Sequence, residues 1–171
     1  LALSESENNA YYTTLNKINR AAVLSTGGFY SQSEELLEDI KKKGVPKQLK
    51  QYYYYTRTWL YNYWEAFSNK SEFMDYYHKK KFENLKLTME VTSSKDVALH
   101  AYLSGELAFL TNPMSKAVLQ FYKKALLNSR VDSRVHASAA YCIARYYREL
   151  GDTPRYEKYI IEAAISDITC P

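Results

Sequence analysis

Residues 105–121 read Gly-Glu-Leu-Ala-Phe-Leu-Thr-Asn-Pro-Met-Ser-Lys-Ala-Val-Leu-Gln-Phe, and this stretch decides the fold. Twelve positions separate Gly105 from Ala117, and four more lead to Phe121. With 3.6 residues per turn, that spacing sets two small residues on facing sides of a helical hairpin and a ring one turn further on. The small residues let two helix backbones approach closely, and the ring fills the space between one hairpin and the next. Asn112 and Pro113 supply the break between the two helices. Asparagine is a favoured helix N-cap, and proline is tolerated at the first helical position because its missing N–H has no partner there.

The pattern continues outward from this hairpin. Met114, Ala117, Val118, Phe121, Tyr122 and Ala125 step by three and four, as one apolar stripe of a helix does. Val135, Ala139, Cys142, Ile143, Tyr146 and Leu150 draw a second stripe, and Tyr156, Ile160, Ala163, Ala164 and Ile168 a third. Pro46 and Pro154 stand where helices should begin, the latter behind Thr153 as a cap, while Gly27-Gly28 and Gly151-Asp152 mark tight breaks. Period-2 alternation and Asn-Gly hairpin turns are missing from the sequence, so strands are not expected. The reading predicts eight helices over 6–26, 30–43, 46–67, 71–91, 95–111, 113–127, 133–150 and 154–168. They pair into four hairpins, about 6–43, 46–91, 95–127 and 133–168, within a single domain over 1–171.

Two other hairpins carry elements of the same pattern. Ala144, Gly151, Ile160 and Ala163 stand at corresponding places in the last, with Tyr156 in a position usually small. Ala21, Gly28, Tyr30, Ser33, Leu37 and Ile40 correspond in the first. Gly28 to Asn112 is 84 residues, or two units of 42, and Asn112 to Gly151 is 39. The expected fold is therefore all-α: a tetratricopeptide-like superhelix of α-α hairpins whose repeats are degenerate and longer than the regular repeat of about 34 residues. The second hairpin is the most irregular, with Ser68-Asn69-Lys70 and no glycine at its turn.

Composition narrows the function. A formal net charge of +4 is too small to point to nucleic acid. Lys41, Lys42 and Lys43 suit a helix C-terminus ahead of Gly44, and Lys79, Lys80 and Lys81 read as a solvated helix face. No apolar run reaches the roughly 18 residues of a membrane span, so the segment itself is expected to be soluble. The two cysteines, Cys142 and Cys170, show no ligand spacing; Cys142 falls on an apolar stripe and reads as core. His78, His100 and His136 lie on three different predicted helices, and Met74, Met89 and Met114 read as core filler. Catalytic residues, metal ligands and a cofactor are not expected, because no triad order, phosphate loop or paired-carboxylate pattern appears.

The unusual quantity is tyrosine, with 18 residues against 6 phenylalanines and 2 tryptophans. Tyrosine and tryptophan crowd the third predicted helix: Tyr52, Tyr53, Tyr54, Tyr55, Trp59, Tyr61, Tyr63 and Trp64. Rings on several faces imply a helix partly sandwiched between neighbours. Tyr54, Thr58, Tyr61 and Glu65 nonetheless share one stripe, with Arg57 beside it. On the seventh helix Arg134, Ser138, Tyr141, Arg145 and Arg148 share another. First helices of tetratricopeptide hairpins line a concave groove, so Tyr54, Arg57, Tyr61, Tyr141 and Arg145 are the candidate groove-binding residues. Tyrosine and arginine there suit an extended peptide or protein partner, or a small glycan.

Residues 17–30, Lys-Ile-Asn-Arg-Ala-Ala-Val-Leu-Ser-Thr-Gly-Gly-Phe-Tyr, resemble the first hairpin of tetratricopeptide-containing transcriptional regulators of Bacteroides-type bacteria. Residues 44–53, Gly-Val-Pro-Lys-Gln-Leu-Lys-Gln-Tyr-Tyr, do so as well, and the ending Tyr156-Glu157-Lys158-Tyr159-Ile160-Ile161-Glu162-Ala163-Ala164-Ile165-Ser166-Asp167-Ile168 resembles them most. The resemblance spans about residues 15–168. It implies a helical-repeat sensor region on the periplasmic side of the inner membrane, followed by a transmembrane helix, a coiled coil and a cytoplasmic DNA-binding region. Thr169-Cys170-Pro171 departs from the polar or basic stretch usual after Ser-Asp-Ile, so the chain is expected to be the sensor half of a longer, membrane-tethered protein. The alternatives are a helical glycan-uptake lipoprotein and a general protein-interaction scaffold.

Overall fold

Eight α-helices account for most of residues 5–68 and 71–169, the parts of the chain that the structure, a computed structural model, describes. They are α1 (Glu5–Thr26), α2 (Tyr30–Lys43), α3 (Lys50–Phe67), α4 (Ser71–Val91), α5 (Val97–Thr111), α6 (Lys116–Asn128), α7 (Arg134–Glu149) and α8 (Thr153–Thr169). A 3-10 turn, Lys47–Leu49, leads into α3. The helices pack in successive pairs and fall into two compact units, residues 1–91 and 92–171. Asn69 and Lys70, part of the irregular turn expected in the second hairpin, lie outside the described residues, as do Cys170 and Pro171.

In the first unit α1 packs on α2 and α3, and α3 packs on α4. Ala21 and Ser33 stand twelve positions apart, like Gly105 and Ala117, and both are fully buried together with Leu37. Ser33 donates from Oγ to the Ala21 carbonyl at 2.9 Å, and Ser25 donates to the same oxygen at 2.9 Å. A larger residue at 33 could not sit so close to the α1 backbone. Ile18, Ala21, Leu37, Ile40, Leu49, Tyr53 and Leu60 form the core around this contact. The α1–α2 break is a left-handed stop: Gly28 has φ 83°, Phe29 N–H reaches back to the Leu24 carbonyl at 2.9 Å, and Gly28 N–H to Ser25. Glycine takes this conformation without a Cβ penalty.

In the second unit α5 packs on α6, α6 on α7, and α7 on α8. Gly105 meets the ring of Tyr122 rather than that of Phe121; a Cβ built on Gly105 would stand 2.6 Å from Tyr122 Cε1. Tyr122 turns inward because its hydroxyl has an acceptor there, donating to Glu106 at 2.7 Å, while Phe121 remains 36% exposed. Two expected caps are displaced. Ser115, not Asn112, caps α6 by accepting from Ala117 N–H, because Pro113 lies in the turn ahead of the helix. Asp152, not Thr153, caps α8 by accepting from Arg155 N–H at 3.1 Å. A carboxylate at the positive helix end is the stronger acceptor. The α7–α8 stop repeats that of the first hairpin, with Gly151 at φ 71° and Asp152 N–H on the Tyr147 carbonyl.

The apolar stripes are buried at Val118, Tyr122 and Ala125 of α6 and along most of α7, but Leu150 and Ile168 are exposed. Met74 and Met114 are surface residues rather than core filler. Three buried tyrosines, Tyr53, Tyr61 and Tyr122, have phenols pushed above the ordinary value of 10.0, chiefly by burial. Their folded-state values exceed their unfolded ones, so the stability they contribute is complete below pH 10 and is lost as the pH rises beyond it. An alkaline titration followed by phenolate absorbance and circular dichroism together checks this. The absorbance of the three buried rings should appear only with loss of helical circular dichroism. Ionisation of these three rings with the helices intact would contradict this.

Candidate functional site

The tyrosine-rich α3 carries a polar network inside the first unit. Arg57, only 7% exposed, donates from Nη1 to Glu38 at 2.5 Å and to the Tyr53 hydroxyl at 2.9 Å, and from Nη2 to the Tyr61 hydroxyl at 3.1 Å. Tyr61 is fully buried and donates to Glu34 at 2.6 Å; Tyr53 donates to the Leu37 carbonyl at 3.1 Å. Tyr54 is half-buried against the core, its ring edge-on to Tyr53. Of the three candidates on α3, then, Arg57 and Tyr61 join α3 to α2 and present almost no surface to a ligand. The periodicity grouped them correctly on adjoining stripes, but that side of α3 is covered by α2. Tyr55, Trp59 and Tyr63, each half-buried, form a separate row on α3, spaced at four residues with ring centroids 6.0 and 5.7 Å apart.

The second unit places its two candidates differently. Tyr141 is 51% exposed on α7. Arg145, one turn further along, is half-buried, with its guanidinium carbon 3.9 Å from the ring centroid of Phe109 on α5. Arg134 and Arg148 are exposed and Ser138 half-buried on the same stripe. Phe109 was not singled out by the sequence; it carries no polar atom, and only the packing of α5 against α7 brings it beneath Arg145. Glu106, one turn before it, accepts from Tyr122 and from the Cys142 thiol at 3.5 Å. Burial, with Glu106 adding to it, pushes the Cys142 thiol well above its ordinary 9.0, which keeps it protonated and unreactive.

The remaining titratable groups are spread out. His78 lies 3.0 Å from Glu65, which also holds Lys81. His136 is buried between Ser129 at 3.1 Å and Glu162 at 3.2 Å, and so ties the α6–α7 connection to α8. Among the described residues no three His, Cys, Asp or Glu side chains converge on a metal-sized site, and no helix is long and apolar enough to cross a membrane. The arrangement offers recognition chemistry: a ring and a cation held side by side on an exposed helix face.

Residues 1–171 match the family model described as the SusR N-terminal TPR domain. No match is found among curated proteins or among solved structures.

Proposed function

The chain belongs to the SusR N-terminal TPR domain family, the helical-repeat domain of a regulator, and we propose that it serves there as a non-catalytic sensor that binds a peptide or protein along the exposed face of α7. The observation that carries this reading is the pairing of exposed Tyr141 with Arg145 stacked on Phe109. Tyrosine and arginine are the side chains most often found at binding hot spots, because each offers a large contact area together with directional hydrogen bonds. Phe109 holds the guanidinium plane in advance, so little side-chain freedom is lost on binding. The regulator context supports a sensor on the periplasmic side of the membrane, with occupancy of the α7 face biasing how α8 packs on α7.

The test uses the full-length regulator driving a reporter gene. Tyr141→Ala combined with Arg145→Ala is expected to lower inducible output at least about tenfold, equivalent to roughly 1.4 kcal/mol of binding, at unchanged protein level. Wild-type induction from the double variant would reject the α7 face.

A further inference from the structure

Arg145 is held at a cost. Its Nε is buried with no hydrogen-bond partner, and among the described residues of the second unit the ion pairs involve Arg130, Arg148, Arg155 and His136 but not Arg145. Glu106, the acid of the facing helix, is already engaged by Tyr122 and Cys142. Leucine or methionine at 145 would cover Phe109 equally well and leave no buried N–H without an acceptor. Packing therefore explains an apolar residue at this position better than it explains an arginine.

What arginine adds is a planar fork whose geometry matches a carboxylate. Along the same stripe Arg134 and Arg148 are exposed, and Arg148 is paired with the adjacent Glu149. From position 134 to 148 the helix rises about 21 Å, more than a single small molecule covers but matched by an extended peptide of about six residues. We propose that Arg145, flanked by Phe109 and Tyr141, anchors an acidic side chain of an extended peptide lying along α7, with Arg134 and Arg148 receiving further carboxylates. This rests on the α7 face being the binding face and adds the chemical class of the partner.

The experiment is fluorescence anisotropy with the whole chain and a labelled octaglutamate peptide, with octaglutamine as its neutral control. Octaglutamate is expected to bind, to weaken with added salt as exposed charge pairs do, and to exceed octaglutamine by at least about tenfold. Arg145→Gln should remove about tenfold of that affinity, and Arg145→Lys, which keeps the charge but loses the fork, an intermediate amount. Arg130→Gln, at an exposed arginine paired with Asp132 between α6 and α7, should change nothing. Should Arg145→Gln lose helical circular dichroism, the Arg145→Lys comparison decides. Absence of octaglutamate binding, or equal losses from Arg130→Gln and Arg145→Gln, would overturn the proposal. If the octaglutamate result fails while the reporter double variant loses induction, the acidic partner is rejected and the α7 face stands. Wild-type induction would reject the face itself.

Discussion

Gly105→Ala is expected to destabilise the second unit by about 2 kcal/mol, the reverse of what glycine-to-alanine usually does inside a helix. Alanine gains roughly 1 kcal/mol over glycine in helix propensity. Against this, the added Cβ would stand 2.6 Å and 2.7 Å from two ring carbons of Tyr122, distances that real contacts do not tolerate. Relief requires the ring to move. It is fully buried and held at its far end by the hydrogen bond to Glu106, so it cannot swing aside. Overpacking costs about 1–3 kcal/mol, and a clash with two carbons of a ring that cannot yield belongs at about 3, which leaves about 2 after the propensity gain. Gly105→Val, larger and β-branched, should cost more still. Gly27→Ala is the control: its Cβ would meet the exposed Phe29 ring at 3.2 Å, which is free to give way, and the Val23 carbonyl oxygen at an ordinary contact distance of 3.4 Å. The check is the denaturant midpoint of each variant. A neutral Gly105→Ala would mean that the α5–α6 contact is looser than the structure has it.

Arg57→Met is expected to cost the first unit about 2–3 kcal/mol. Removing one partner of a buried ion pair typically costs about 3–5 kcal/mol, because the other charge is left uncompensated. Here the upper end is not reached. Glu38 is 38% exposed and can rehydrate, while Tyr53 and Tyr61 keep their own acceptors in Leu37 and Glu34. The same pair sets an acid limb. Burial alone would raise the Glu38 carboxyl, but the hydrogen bond and charge of Arg57, with Lys41 and Lys42, hold it below 4.5. A carboxyl depressed in the folded state stabilises above its unfolded value and stops doing so as the pH falls through the folded one. Arg57→Met should therefore be less stable at neutral pH and show a flatter decline below pH 4.5. Parallel acid limbs in the two proteins would show that Arg57 and Glu38 are not coupled.

Much of the architecture could be read from residue spacing. The twelve-residue separation of small residues is a property of one hairpin, and such local geometry is encoded in neighbouring positions. Ala21 with Ser33 and the stops at Gly28 and Gly151 belong to this class. The displaced caps are a finer matter: Asn112 and Ser115 are both good N-caps, and the choice depends on where Pro113 leaves the chain. Burial of the α3 side carrying Arg57 and Tyr61 was not legible, because periodicity assigns a residue to a stripe without saying what covers that stripe. Aromatics on every face of α3 erase the usual contrast between inside and outside. Tyr141 and Arg145 could be found from one helix alone; Phe109 could not, since it lies on another.

The buried tyrosines also determine how faithfully helices find their partners. Tyr53 ends on the Leu37 carbonyl, Tyr61 on Glu34, Tyr122 on Glu106, and Tyr146 on the Met114 carbonyl. Two leucine-lined helices that slid past one another by a turn, about 5.4 Å, would meet much the same hydrocarbon. In this chain such a slip would strand phenol hydroxyls away from water and from any acceptor, at about 1–3 kcal/mol each. Tyr122 thus marks the alignment inside one hairpin, α5 with α6, while Tyr53, Tyr61 and Tyr146 mark the alignment of a hairpin on the one before it. An array aligned in this way can let its repeat length drift without losing its register.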